Sequence, residues 1–393
     1  MKRLSILAIV LCVAMTGFSR TTPIKALIHK KLHQSAEQYE LMYENMLKYP
    51  NMLPRTINQK GELQIAKSSW WTSGFFPGTL WYLHDYLRTE KSKKQAEIMS
   101  ERVRKEQYTT DNHDVGFMIN CSYGNANRLY PSDEHKTIII NAAKSLATRY
   151  RPATGLIRSW NWGKWQYPVI IDNMMNLELL FNATRISGDS TYYKIAVAHA
   201  NNTMKHHFRP DASSYHVVSY DSITGLPQFK GTHQGFSDTS SWSRGQAWAL
   251  YGYVATYRDT HNNAYLDHAL RIASFILNHP HLPADKIPYW DFDAPDIPNA
   301  KRDASAGAVI CSALIELSGY VNKLQAKTFL KVAETQIRTL SSDEYFAKKG
   351  DNGYFILKHS VGSLPHKGEV DVPLTYADYY YVEAMLRYLA LSK

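Results

Sequence analysis

Apolar residues recur at intervals of three and four along most of the chain, the spacing that turns one face of an α-helix toward a core. The pattern predicts helices over 26–48, 74–89, 92–106, 115–128, 133–149, 172–187, 190–206, 241–258, 262–278, 304–319, 322–339 and 372–391. Several carry local start and stop signals. In "ISGDSTYYKIAVAHA" Gly188 ends one helix and Asp189 caps the next, and in "PSDEHKTIIINAAKSLA" Ser132 precedes a first turn rich in acids. Period-two alternation is confined to short pieces such as "SYHVVSYD", read as a hairpin within a loop.

Twelve helices make six helical hairpins. Hairpins of this kind either stack openly as a solenoid or close into a ring. Echoes between them are faint: Tyr192 and Ala196 match Tyr265 and Ala269, and no TPR, HEAT or ankyrin consensus is visible. The expected fold is therefore all-α, an (α/α)6 barrel with six inner and six outer helices.

Composition adds limits. With 393 residues, 44% hydrophobic and 12% aromatic, the chain can bury a large core. No Pro/Gly/Ser-rich linker divides it, so residues 20–393 are expected to form one catalytic domain. The opening "MKRLSILAIVLCVAMTGFS", residues 1–19, reads as a signal peptide: basic Lys2 and Arg3, an apolar run, then small Gly17 and Ser19. The run is short for a membrane span, and Cys12 lies inside it without the small residues a lipid attachment site needs. An exported, periplasmic protein without a membrane span is the expectation. Cys121 and Cys311 both lie in apolar stretches and read as buried thiols, with pairing left open. The net charge of +10 is dispersed, which argues little for nucleic acid and suits an anionic small substrate equally well.

Polar groups recur once per hairpin. Asp114 and Asp172 stand about one hairpin apart, and similar steps reach Gln234 to Arg244, then Arg302 and Asp303, then Glu369 to Asp371, and backwards Trp70 and Trp71. Each precedes an apolar helix. In a ring of hairpins the starts of alternate helices open onto one rim, so these groups converge there. Any single aspartate is explained as well by helix capping, which stabilises by roughly 1 kcal/mol. Recurrence together with Trp, His, Gln and Arg is not, because caps need no such companions. Trp70 and Trp71 divide between core and a sugar platform. Arg244 and Trp248 stand at i, i+4 on one helix face, and Arg244 could pair with Asp238 or grip a substrate carboxylate with two prongs. His216 shows no partner in the sequence.

The stretches "SSWWTSGFFPG", "NHDVGFM", "IIDNMMNLELL", "YHVVSYDSITG", "THQGFSDTSSWSRGQAWALYG", "RDASAGAV" and "KGEVDVPLTYADYYYVEAMLR" resemble, in order from about residue 68 onward, glycoside hydrolase family 88, the unsaturated glucuronyl hydrolases. The resemblance implies an (α/α)6 barrel that uses no metal or other cofactor. It implies that Asp172 is the general acid/base and Asp114 a second essential aspartate. It places Trp71, His113, His216, Gln234, Arg244 and Trp248 around the unsaturated uronic acid. Asn173 stands where the family often has another residue.

The reaction so implied removes a non-reducing-end 4,5-unsaturated uronic acid from lyase-generated oligosaccharides by hydrating its C4=C5 vinyl ether. An acid gives a proton to C4, charge spreads over C5 and the ring oxygen, water adds at C5, and the hemiketal opens and expels the next sugar. A group that donates and then recovers a proton needs a raised pKa, and Asp114 beside Asp172 would raise that of Asp172 by like-charge repulsion. Ser360, Ser363 and Lys367 in "KHSVGSLPHKGEVD" are expected to touch the second sugar. The basic loop suits a glycosaminoglycan-derived or sulfated substrate. An unsaturated rhamnogalacturonyl hydrolase and a non-catalytic sugar-binding protein are the rival readings.

Overall fold

The computed structural model describes residues 22–391, so the signal-peptide segment lies outside the described residues. Among the described residues, twelve helices alternate between an inner and an outer ring. The inner ones are α2 (Phe75–Leu87), α4 (Gly116–Gly124, continuing as Asn125–Leu129), α6 (Asn173–Ser187), α8 (Ser243–Thr260), α10 (Ala304–Leu317) and α12 (Thr375–Ala390). The outer ones are α1 (Ile24–Met46), α3 (Glu90–Glu101), α5 (Asp133–Ala147), α7 (Ser190–His206), α9 (Asn263–Asn278) and α11 (Lys323–Leu340).

Sequence decides the ring. Outer α9 buries only Tyr265, His268, Ala269, Ile272, Ala273 and Ile276, a single stripe. Inner α10 buries nearly every side chain from Ala304 to Leu317, as its almost uniformly apolar sequence allows. Each inner helix packs on the next, and α12 packs on α2, closing the ring. The first helix of the described residues, α1, lies outside against α12 and α2 and completes the last hairpin. The (α/α)6 expectation holds.

The two ends of the barrel differ. Inner helices pass to their outer partners through tight turns, as at Gly188, whose left-handed φ of 75° suits glycine. The returns, before each inner helix, are long and fold into antiparallel hairpins: β1 (Met52–Ile57) with β2 (Leu63–Lys67), β3 (Tyr150–Arg151) with β4 (Leu156–Ile157), and β8 (Ser360–Ser363) with β9 (Gly368–Val372). A three-stranded sheet joins β5 (Pro168–Ile170), β6 (Val217–Tyr220) and β7 (Pro227–Gly231). The sequence pattern anticipates only the β6 region.

One helix departs from its expected form. Gly116–Gly124 winds as a π-helix, a form frequent at functional sites. Its start is pressed against α6: a Cβ at Gly116 would lie 2.5 Å from Asn176 Oδ1, and that same oxygen accepts the Phe117 N–H at 2.9 Å. Cys121 and Cys311 are both buried and free.

Candidate active site

The long loops at the N-terminal ends of the inner helices enclose a cavity of about 430 Å³ whose wall includes Trp70, Trp71, Asp114, Asp172, Arg244 and Tyr376. A larger surface groove of about 710 Å³ beside Arg104 and Asn141 contains none of the groups that the sequence singles out. Under the cavity lies an aromatic layer: Trp71 is 4.9 Å from Tyr376 and 5.6 Å from Phe117, ring to ring.

Asp114 and Asp172 share this cavity, each at the start of an inner helix, and neither side chain caps its helix. Asp172 sits where β5 runs into α6. The Ile171 N–H donates to the His216 carbonyl at 3.0 Å, continuing the β5–β6 ladder and setting His216 beside Asp172. The His216 Nδ1 accepts two backbone N–H groups, from His233 at 3.0 Å and Gln234 at 3.1 Å. Its ring proton is thereby assigned to Nε2, which lies 3.5 Å from Asp172 Oδ2. Asp114 is approached by His113, with Nε2 3.5 Å from Oδ1, and its own N–H donates to Asn112 Oδ1 at 2.9 Å.

The electrostatics reverse one expectation. Burial, reinforced by the negative charge of Asp172, pushes Asp114 up to about 8. Burial pushes Asp172 the same way, but the His216 N–H and the charges around it outweigh this and hold it below its ordinary value. At neutral pH the ligand-free pair carries one proton, on Asp114 and not on Asp172. Burial also lowers His113 and His233 to about 4, so both rings are neutral.

The other predicted residues fall into two groups. Trp71, His113, Gln234, Arg244 and Ser363 line the cavity. Trp248, Ser360 and Lys367 do not. Trp248, one turn further along α8 than Arg244, is fully buried and packs on Phe117 and Tyr380 at 5.4 and 5.5 Å. Ser360 is buried at the foot of β8, and Lys367 is exposed at the β8–β9 turn. His216 stands behind Asp172 and touches the site through it. Arg244 does not pair with Asp238. Its Nη1 donates to Asp303 Oδ2 at 3.1 Å and to the Val361 carbonyl, and its Nη2 to the Gly362 carbonyl at 2.5 Å. Gln234 Nε2 also donates to Gly362 O, at 3.1 Å. Both residues therefore hold the β8–β9 hairpin over the cavity.

Wall residues absent from the sequence reading include Arg55, Trp160, Trp162 and His366. The alternating tryptophans of "SWNWGKW" were the available signal: Trp160 and Trp162 stack at 4.9 Å with planes 13° apart. Among the described residues, those grouped like metal ligands are His279, His281 and Asp293, away from the cavity wall. There the His279 Nδ1 accepts the His281 N–H at 3.2 Å, which puts its ring proton on Nε2, so neither nitrogen of that ring offers a free lone pair to a cation in this arrangement.

No family model matches the chain. It is 45% identical over 370 residues to an unsaturated glucuronyl hydrolase of Formosa agariphila, spanning 91% of this chain and 92% of the relative. It is 33% identical over 353 residues to an unsaturated chondroitin disaccharide hydrolase of Streptococcus pyogenes serotype M1, spanning 88% of this chain and 87% of the relative. A crystal structure of an unsaturated glucuronyl hydrolase specific for heparin superposes with a TM-score of 0.91 at 46% identity, covering 94% of this chain and 98% of that one. The fold and its relatives define a glycoside hydrolase of the (α/α)6-barrel class. Within that class, the chain belongs to the unsaturated glucuronyl hydrolases.

Proposed function

We propose that this enzyme removes the 4,5-unsaturated uronic acid from the non-reducing end of lyase-generated oligosaccharides, and that Asp114 and Asp172 supply the acid and the base that hydrate its C4=C5 bond. The observation that carries the chemistry is the opposite displacement of two carboxyl groups in one cavity. Hydration of a vinyl ether needs one proton given to carbon and one taken from water, which a pair sharing a single proton provides.

The resemblance assigns donation to Asp172. In the ligand-free site the proton is on Asp114, so that assignment requires it to reach Asp172 when substrate binds. An entering uronate carboxylate favours this, because it disfavours a second anion at Asp172. The ligand-free protonation favours the alternative, in which Asp114 donates to C4 and Asp172 takes the proton of water. The variants Asp114→Asn and Asp172→Asn separate the two. If Asp172 donates, Asp114→Asn keeps measurable turnover. If Asp114 donates, both variants lose turnover to a similar depth.

Turnover is read as loss of the ultraviolet absorbance of the conjugated uronate. Persistent absorbance with retained affinity would support a binding protein instead. A glycosaminoglycan-derived or sulfated disaccharide is the proposed substrate, because one similar protein is described as specific for heparin and another as a chondroitin disaccharide hydrolase. A panel of unsaturated disaccharides from heparin, chondroitin, hyaluronan, ulvan and pectin tests that choice and the rhamnogalacturonyl alternative together.

Export to the periplasm is part of the same proposal, supported by the basic start and apolar run of residues 1–19. N-terminal sequencing of the protein recovered from a periplasmic fraction tests it. Among the described residues no helix is long and apolar enough to cross a membrane.

A further inference from the structure

Two arginines face the cavity, and their donors are used differently. Arg244 is buried, and three of its hydrogen bonds go to Asp303 and the carbonyls of Val361 and Gly362. Those acceptors take three of its five N–H donors and tie its Nη1 fully to the fold, leaving the buried Nε without a partner. Arg55, on β1, also reaches the wall. Its Nε donates to Glu369 Oε1 at 2.6 Å. Its Cζ lies 3.9 Å from the centre of the Trp70 ring. Its two Nη groups have no acceptor among the described residues.

A guanidinium fixed at Nε and stacked on an indole has its plane defined before any ligand arrives. Its remaining edge is a two-pronged donor matched to a planar or tetrahedral oxyanion. Glu369 supports this arrangement at a cost. It holds a left-handed backbone conformation, φ 56°, which side-chain-bearing residues adopt rarely and which recurs at ligand-holding positions. Two of the cavity's other basic groups, His113 and His233, are neutral rings, and His366 Nδ1 is engaged with Ser363 Oγ at 2.7 Å.

We propose that Arg55 is the oxyanion anchor of the cavity, its free Nη edge binding a carboxylate or a sulfate ester of the sugar substrate, with Glu369 and Trp70 positioning the guanidinium. The proposal rests on the sugar-cleaving reading above and names the residue that meets the negative charge. It adds Arg55 to the role expected of Arg244, whose Nη groups secure the β8–β9 hairpin.

The test compares Arg55→Gln, Arg55→Lys and Glu369→Gln with the unaltered enzyme on unsaturated disaccharides with and without a sulfate. Turnover is followed together with calorimetric affinity for the same sugars. Arg55→Gln should raise KM and Kd about tenfold or more, the loss of a charge-assisted pair, while kcat changes less than about twofold. Arg55→Lys should recover little, because an ammonium group has neither the plane nor the fork. Glu369→Gln should give a smaller rise. An effect on every disaccharide identifies the uronate carboxylate as the ligand, and an effect on sulfated ones alone identifies the sulfate. Unchanged KM and Kd on every sugar in a folded Arg55→Gln protein would overturn the proposal. Should that variant fail to fold, unchanged values in Arg55→Lys would do the same. If the unaltered enzyme turned over none of the sugars, the functional reading would fail, while the calorimetric comparison would still decide whether Arg55 binds the anion.

Discussion

Asp172 and Asp303 occupy equivalent places in the ring, each immediately before an inner helix, and they do opposite things. Asp303 is fully buried and engaged. Its Oδ1 accepts the Ser305 N–H at 3.0 Å as a helix cap, and its Oδ2 accepts from Arg244 at 3.1 Å. Asp172 caps nothing, and its Oδ2 has only the His216 Nε2 at 3.5 Å. One carboxylate is consumed by the fold. The other is kept unsaturated, at the bottom of a cavity, beside a second carboxyl group that holds a proton. A recurring aspartate at a helix start therefore has two uses, and what separates them is whether neighbouring donors turn inward to take up its oxygens.

The largest expected break in this comparison is Asp172→Asn. Turnover should fall by about 10²–10⁴-fold, the usual contribution of a general acid or base, with little change in thermal stability. Turnover within a few fold of the unaltered enzyme would remove Asp172 from the mechanism. Asp303→Ala should do the reverse and act on the fold first. It leaves the Arg244 guanidinium buried without its carboxylate, a loss of about 3–5 kcal/mol measurable by denaturant unfolding. A loss below about 1 kcal/mol would show that Arg244 is satisfied by the two hairpin carbonyls alone.

A finer test uses pH. Asp114 is raised from 3.8 to about 8, so kcat/KM should fall as pH rises through about 8 and the pair loses its proton. Asp114→Asn should erase that limb in whatever activity it retains. The same shift has a stability consequence. The folded state holds this proton more tightly than the unfolded chain, so the stability it gives is fully present below 3.8 and lost as pH rises through about 8. Stability of Asp114→Asn should accordingly fall less with pH across that window. The smallest effect belongs to Asp189, on the outer ring, which accepts the Thr191 N–H at 2.8 Å as a plain N-cap. Asp189→Ala should cost about 1 kcal/mol and leave turnover unchanged.

The helices were legible because each outer helix must show one apolar stripe and each inner helix several, and a period near 3.6 records both. The convergence of Asp114, Asp172, Gln234 and Arg244 was legible because the hairpin length repeats. What the pattern does not record is the route of hydrogen bonds between distant segments. Nothing near Arg244 in sequence announces Asp303 or the carbonyls of Val361 and Gly362, so its structural duty was hidden. The β8–β9 hairpin was hidden for a related reason. Lys367, Glu369 and Asp371 hold positive φ angles of 53–59°, a conformation their residue types do not signal. Arg55 lies in a short hairpin with no strong alternation, and only the fold brings it to Glu369. The reversal at Asp114 and Asp172 depends on the orientation of one imidazole, set by the backbone N–H groups of His233 and Gln234.

The most direct measurement is a carbon-13 titration of the aspartate carboxyl groups in the ligand-free enzyme, with the Asp114→Asn and Asp172→Asn variants assigning the signals. The account predicts one of the pair titrating near 8 and lost in Asp114→Asn, and the other remaining ionised down through the acid range. Two carboxyl groups titrating together at ordinary values, or a neutral-pH proton residing on Asp172, would contradict it.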